Sequence, residues 1–267
     1  MNRKLKLLMK QSLSVLCISL TALVFFSSAA HAKWSFGIGT GFSLLNVDGT
    51  IGFNSPLISG PVKFDLKFDP DDVNDLMQSA FGFGGYATDG TWLFQYSYGN
   101  LELEGEGSTP VGASTVSARI NFEMTGAEMT LGYPVYKTSS LVTLVDAGVR
   151  FTKHEYHNRI SASGAVTGQR DNNFDHDWTD AIFGVSVIVP FAQKWTWNTR
   201  LNAGFGGSDG TYLASTGVTW RFLEHWSAGL VGKYMAVDFE NASEGDSDWY
   251  LYDVDESTLS LNILYNW

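Results

Sequence analysis

The stretch Ser257-Thr-Leu-Ser-Leu-Asn-Ile-Leu-Tyr-Asn-Trp267 decides the fold of this chain. Its apolar residues fall on alternate positions: Leu259, Leu261, Ile263, Tyr265 and Trp267. The intervening positions are mostly polar, and the stretch ends on an aromatic residue. A period of two predicts a β-strand with one apolar face. Lipid-facing and lumen-facing side chains alternate in this way in transmembrane β-barrels, so we interpret the stretch as the last strand of such a barrel.

Residues 1–32 have the three parts of a secretory signal peptide. Four basic residues precede an apolar stretch over 13–26, and Ala30-His31-Ala32 offers a cleavage site. We expect the mature chain to start at Lys33 and assign residues 33–267 to the barrel. Cys17 lies in the apolar stretch, so cleavage leaves no cysteine for a disulfide, a thiol nucleophile or a metal site.

The mature chain is acidic. Removal of the four basic residues of the signal peptide leaves 13 Lys and Arg against 28 Asp and Glu, a formal charge of −15. Nucleic-acid binding depends on clustered cations, so this balance argues against a nucleic-acid partner. No segment after the signal peptide approaches the ~20 consecutive apolar residues of a helical membrane span.

Period-two alternation recurs along the chain and predicts an all-β, antiparallel up-and-down barrel. The predicted strands are 34–45, 78–87, 91–104, 116–136, 140–158, 179–192, 195–206, 211–222, 226–239 and 256–267. Ten strands are expected, with eight and twelve as alternatives. Twelve would result if residues 49–53 and 62–68 both joined the barrel wall.

The connections alternate between short and long. Tight turns are predicted at 88–90, 137–139, 193–194 and 223–225, and longer polar connections at 46–77, 105–115, 159–178, 206–210 and 240–255. Outer-membrane barrels have short periplasmic turns and long extracellular loops. We therefore expect a bacterial outer-membrane protein with both termini in the periplasm. Within 46–77, Asp69 as the N-cap and Pro70 after it predict a short helix behind a short strand.

Tryptophans gather at one end of the predicted barrel. They lie near a terminus or a tight turn: Trp34, Trp92, Trp195, Trp197, Trp220, Trp226 and Trp267. Trp favours the membrane–water interface because its ring is apolar while one edge donates a hydrogen bond. This placement predicts an aromatic girdle; a soluble core would spread these rings along the strands.

Alternation also assigns the two faces of the strands. Val187 and Leu201 are expected to face lipid, and Ser186 and Arg200 the lumen. The apolar positions change phase at Gly126, which predicts a β-bulge there.

The predicted lumen carries charges of both signs: Arg119, Glu123, Glu128, Asp146, Arg150, Asp180, Arg200, Arg221 and Lys233. Buried charges must pair or become neutral. Nearly balanced signs favour a plug of ion pairs over a charge-selective pore, although both interpretations stay open.

Two weaker patterns lie near the long connections. His154, His157 and His176 occur among aspartates, which would suit a hydrolase site at the rim, but His154 and His157 fall on opposite faces of a strand. The acids of 240–256 could hold a divalent cation, yet their spacing matches no EF-hand loop and favours a solvated loop. We expect no metal site, no cofactor and no enzymatic activity.

The chain resembles the small outer-membrane barrels of the OmpA/OmpX/OmpW-like group in its signal peptide, alternating strands and Trp-terminated last strand. The second half, about 140–267, is similar to a further barrel family without an assigned activity. The resemblance is carried by these motifs: Asp146-Ala-Gly-Val-Arg150, Asp177-Trp-Thr-Asp180, Gly204-Phe-Gly-Gly-Ser-Asp209 and Gly232-Lys-Tyr234 followed by Asp238-Phe239. It implies the fold and the location, and no activity.

Together these observations predict an outer-membrane barrel with an ion-paired, plugged lumen and acidic outer loops, in a structural or surface-interaction role. A narrow channel for small hydrophilic or amphipathic solutes is the alternative, and a rim-site hydrolase is the least favoured. The expected partners are outer-membrane lipid and lipopolysaccharide, and the barrel assembly machinery through the C-terminal strand.

Overall fold

The computed structural model describes residues 34–55, 60–111, 114–164 and 167–267. The predicted signal peptide, residues 1–32, and its cleavage site lie outside these residues. The described residues form strands β1 (Ser35–Ser55), β2 (Gly60–Phe68), β3 (Met77–Thr88), β4 (Leu93–Val111), β5 (Ser114–Lys137), β6 (Val142–Gly164), β7 (Gly168–Phe191), β8 (Trp195–Phe205), β9 (Gly210–Arg221), β10 (Trp226–Glu240) and β11 (Tyr250–Asn266), and helix α1 (Pro70–Leu76).

Ten of these strands close an antiparallel barrel, in the order β1, β3, β4 and onward to β11, which pairs with β1 again. The predicted ten-stranded fold is therefore confirmed. A path perpendicular to the strands that starts at Val47 and crosses every strand returns to β1 at Ser35, twelve residues earlier. Ten strands with this stagger imply a tilt of about 40° and a backbone radius of about 10 Å.

Strand β2 does not widen the barrel. It pairs with the far half of β1, Val47–Ser55, while β3 pairs with the near half, Ser35–Thr40. The two strands thus occupy the same side of β1 at different heights, and α1 joins them. As predicted, Asp69 caps α1, and its carboxylate accepts hydrogen bonds from the backbone N–H groups of Asp71 and Asp72.

An apolar band surrounds the lower part of the barrel, next to the tight turns. On β11 it runs from Trp267 to Leu259, where the outward residues change to Ser257 and Asp255. With ~3.3 Å of rise per residue and the tilt above, the backbone of the band is about 20 Å tall, close to the ~25 Å apolar band of outer-membrane barrels. No helix in the described part of the chain is long and apolar enough to cross a membrane.

Above the band the polarity of the wall reverses. Outward positions there are polar, whereas inward positions form an aromatic core with seven buried members: Tyr156, Trp178, Val237, Phe239, Tyr250, Tyr252 and Val254. This core joins two four-stranded sheets, β4–β7 on one side and β2–β1–β11–β10 on the other. The barrel is therefore flattened into a sandwich above its apolar band.

Two sequence predictions are wrong because of this reversal. The strand register runs unbroken through Gly126, without the predicted bulge; the register shift in β5 lies between Pro134 and Tyr136. The polar segments 105–115 and 159–178, predicted as loops, are mostly strand. Apolar side chains above the band point inward, so the outward alternation that marks a strand within lipid is absent there.

Candidate functional site: the lumen

The structure places seven of the nine predicted lumen charges inside the barrel and two outside. Arg119 and Glu123 lie on the outer face of β5, above the apolar band. Arg119 pairs there with Glu104 and Glu106 of β4, and Glu123 accepts a hydrogen bond from Asn100 at 2.8 Å. These two assignments are corrected: they assumed a phase change at Gly126 that the continuous strand does not have.

Four of the inward charges form one ion-paired layer at the level of the apolar band. Glu128 binds Arg200 through Oε1, at 2.5 Å, and Arg150 through Oε2, at 2.7 Å. Arg200 also reaches Asp146, at 2.9 Å. All four side chains are less than one-fifth exposed. Two positive and two negative charges thus compensate one another in a mostly buried site.

Neutral side chains complete this layer. Arg150 donates to the Asn202 Oδ1 at 3.0 Å and to the Thr211 Oγ1 at 3.3 Å, and Ser186 donates to Asp146 at 3.1 Å. The sequence analysis placed Ser186 in the lumen but did not predict its partner. The identity of such partners depends on the barrel stagger, which the sequence does not show.

Asp180 has a different role from the predicted one. Its carboxylate is fully buried and accepts no hydrogen bond from an arginine among the described side chains. Instead it accepts hydrogen bonds from the backbone N–H groups of Gly207 and Ser208 and from the hydroxyls of Ser208 and Thr211. A side chain at Gly207 would collide with the backbone of Thr179. Asp180 therefore anchors the β8–β9 turn tightly against β7.

Arg221 and Lys233 face inward without joining the ion-paired layer. Arg221 lies near the tight-turn end and is exposed, while Lys233 is half-buried beside Thr258 and Ser215. Neither makes a salt bridge with another residue in the part of the chain that the structure describes.

The aromatic core forms a second layer above the first. Trp178 of β7 stacks on Phe239 of β10, with ring centroids 4.1 Å apart. Tyr156 and Tyr250 join the two sheets through their hydroxyl oxygens, 2.8 Å apart. Trp178 lies two positions before the inward Asp180 on the same strand, so alternation could have placed it inside the barrel. The polar residues on either side of it gave no sign of an aromatic core.

The three histidines do not form one site. His154 is fully buried in the aromatic core, where its Nδ1 lies 2.8 Å from the Tyr250 hydroxyl. His176 stacks on the Tyr250 ring at 4.4 Å, and His157 is exposed on the outer face of β6. Burial disfavours an imidazolium, so we expect His154 to be neutral.

The tryptophans assigned to the girdle lie at the tight-turn end of the barrel. Six project outward around the tight-turn end with 40–45% of their surface exposed: Trp92, Trp195, Trp197, Trp220, Trp226 and Trp267. Trp34 directly precedes β1. Trp195 stacks on Trp220 across neighbouring strands, with centroids 5.7 Å apart.

Several acids of 240–256 serve local structure. Glu240 accepts a hydrogen bond from the Trp249 indole at 2.6 Å, Glu244 pairs with Lys63 at 2.8 Å, and Asp246 accepts one from the Ser243 N–H at 3.1 Å. Within the residues described, no group of three or more His, Cys, Asp or Glu side chains is arranged to hold a metal ion.

A cavity of about 250 Å³ opens below the ion-paired layer. Its lining includes Glu128 and Arg200 together with Tyr86, Gln95 and Ser97. On the same side of the wall, Gly82, Gly99 and Gly126 are direct cross-strand neighbours that face inward. A Cβ atom added to any of them would meet no lumenal side chain within 4 Å, so this wall is smooth and open.

No protein-family model and no curated protein sequence matches the chain. Among solved structures, the outer membrane protease OmpT from Escherichia coli is similar, with a TM-score of 0.60, 7% identity, and coverage of 88% of this chain and 97% of OmpT. The translocator domain of the autotransporter NalP from Neisseria meningitidis matches at TM-score 0.46 and 10% identity over 96% of each chain. At such identities the likeness concerns the fold alone: the chain has the fold of the outer-membrane β-barrels.

Proposed function

We propose that this chain is a bacterial outer-membrane barrel with a closed lumen, in a structural or surface-interaction role. The observation that carries the proposal is the presence of two side-chain layers in series along the lumen. The ion pairs of Glu128, Asp146, Arg150 and Arg200 cross the lumen within the apolar band, and the aromatic core joins the walls above them. The apolar band and the girdle support a lipid environment.

The proposed orientation follows from the connections. The tight turns, the start of β1 and the end of β11 all lie at the girdle. We therefore assign the girdle end of the barrel to the periplasm and the sandwich to the cell exterior. The lipid contacted by the band, and lipopolysaccharide above it, are the proposed membrane partners. The barrel assembly machinery is the proposed folding partner of β11.

Single-channel recording tests the closure. Purified folded protein in a planar bilayer should show no stable conductance. Because the layers are in series, Trp178→Ala alone should leave the bilayer silent, as should Glu128→Gln combined with Arg150→Gln and Arg200→Gln. Only the variant that combines all these changes should conduct. A stable open level in the wild-type protein would contradict the closed lumen.

A narrow channel is the second candidate, and one observation favours it. The cavity below Arg200 and the smooth glycine wall offer space beside the ion pairs. A wild-type conductance that Gly126→Leu abolishes, while Leu201→Ile on the outer face leaves it unchanged, would establish this alternative. We propose no enzymatic role, since the histidines are separated and His154 is enclosed by aromatic rings.

A further inference from the structure

The upper part of β7, residues 168–177, is a sheet edge without a partner strand. β7 pairs with β6 from Gly168 to Ile188, but with β8 only from Ala181 onward. β8 and β9 are short, and their turn is anchored to Asp180 at the top of the apolar band. On the side facing away from β6, the ten residues above this turn therefore have no ladder partner among the described strands.

The other free edges of the sandwich carry features that hinder pairing. β2 has Pro61, Lys63 and Lys67, and the free part of β4 has Pro110. Proline cannot donate a ladder hydrogen bond, and edge lysines deter strand addition. The 168–177 edge contains neither proline nor lysine. Unlike the other two edges, it therefore keeps a backbone N–H donor at every position and has no edge lysine.

The exposed acidic side chains on this edge favour a positively charged partner strand. The outward residues Asp171, Asn173, Asp175 and Asp177 are exposed. Asp171 pairs with Arg159 at 2.9 Å, whereas the neighbouring Lys153 is taken by Glu155, also at 2.9 Å. Asp175 and Asp177 make no salt bridge within the described residues. A second copy of this edge would bring like charges together, while a cationic strand would neutralise them.

The inward side of the same edge is aromatic. Phe174 and His176 alternate with the acids and pack against the core, with Phe174 stacked on Tyr156 at 4.6 Å. We propose that the 168–177 edge binds an extended polypeptide segment in which basic and apolar residues alternate. The segment would add as a strand beside β7, with its basic side chains opposite Asp175 and Asp177 and its apolar ones toward the aromatic core. This proposal rests on the surface-interaction role and names the partner's chemistry.

The test uses full-chain protein in lipid nanodiscs and a capped ten-residue peptide of alternating Lys and Val. Fluorescence anisotropy gives the dissociation constant, and hydrogen exchange locates the contact. We expect protection of the amides of 168–177, with no change in β3. An alternating Glu and Val peptide, and a peptide with the lysines and valines in separate blocks, should bind at least 10-fold more weakly.

Matched variants separate the edge from general acidity. Asp175→Asn with Asp177→Asn should weaken binding about 3- to 10-fold, as expected for two solvent-screened charges. Asp253→Asn with Asp255→Asn removes the same charge from β11, which is paired on both sides, and should leave binding within about 2-fold. Equal loss in both pairs, or binding without protection of 168–177, would overturn the proposal. Neither of these two outcomes bears on the proposed closed lumen, because single-channel recording tests that proposal separately.

Discussion

Arg200 bridges two acids of neighbouring strands: its Nη1 lies 2.5 Å from the Glu128 Oε1, and its Nη2 lies 2.9 Å from the Asp146 Oδ1. Arg200→Ala leaves the buried Asp146 without an ionic partner. We expect the free energy of unfolding to fall by about 3–5 kcal/mol, measured by urea titration in detergent. Arg221→Ala, which removes an exposed inward arginine outside the layer, should cost less than ~1 kcal/mol. Similar losses for both variants would show that the layer is solvated.

The apolar band should tolerate charge far less than the outer wall above it. Leu201 faces outward within the band, and Asn173 faces outward above it. Leu201→Arg should destabilise the protein by about 2–4 kcal/mol in a lipid bilayer, because arginine is costly near the midplane. Asn173→Arg should cost less than ~1 kcal/mol in the same unfolding assay. Equal costs would place the band boundary elsewhere.

The aromatic core should stabilise the sandwich independently of lipid. Trp178→Ala removes the ring that stacks on Phe239 and leaves a cavity, so we expect a loss of about 3–5 kcal/mol in detergent and in lipid alike. Trp197→Ala removes an outward girdle ring and serves as control. Its cost should depend on the lipid, and a lipid-dependent cost at Trp178 would argue against the enclosed core.

The last residue completes the barrel ladder. Phe36 and Trp267 exchange both backbone hydrogen bonds at 3.0 Å, and their rings stack at 5.6 Å. Deletion of Trp267 removes both contacts at the closing seam and should lower the heat-modifiable folded form on gels. Trp267→Phe keeps the backbone bonds and a ring, so its folded yield should stay near that of the wild type. An undiminished yield after deletion would contradict a role for Trp267 in assembly.

Acid should weaken the β3–β4 turn. Backbone N–H groups of Trp92 and then Thr91 hydrogen-bond to the Asp89 carboxylate and lower its pKa, with a smaller effect from Lys137. A lowered pKa stabilises the folded state above the ordinary value, and this stabilisation is lost as the pH falls through the folded-state pKa. Asp89→Asn should therefore be less stable than the wild type at pH 7, and the difference should shrink below about pH 4. A difference independent of pH would assign the effect to turn geometry.

Sequence reasoning succeeded where lipid imposes the pattern. Within the band, outward residues must be apolar, so alternation alone placed Asp146, Arg150 and Arg200 inside and Val187 and Leu201 outside. It failed above the band, where the outer wall meets water and the inner face is aromatic. There Arg119 and Glu123 were assigned to the wrong face, because no local signal marks the height at which the constraint reverses. Cross-barrel partners such as Arg200 and Glu128 depend on the stagger of ten strands, which is a property of the closed sheet.

The reversal of polarity also fixes how deeply the barrel can sit in a bilayer. Charged side chains mark the upper boundary on several strands: Glu102, Glu123, Lys153, Asp177 and Asp255. A downward shift of the barrel by two residues would carry this ring of charged side chains into hydrocarbon. An upward shift by the same amount would lift the tryptophan girdle out of its interface. In the proposed membrane setting, the height of the apolar band is therefore fixed by the protein, and a thicker or thinner bilayer would have to deform around it.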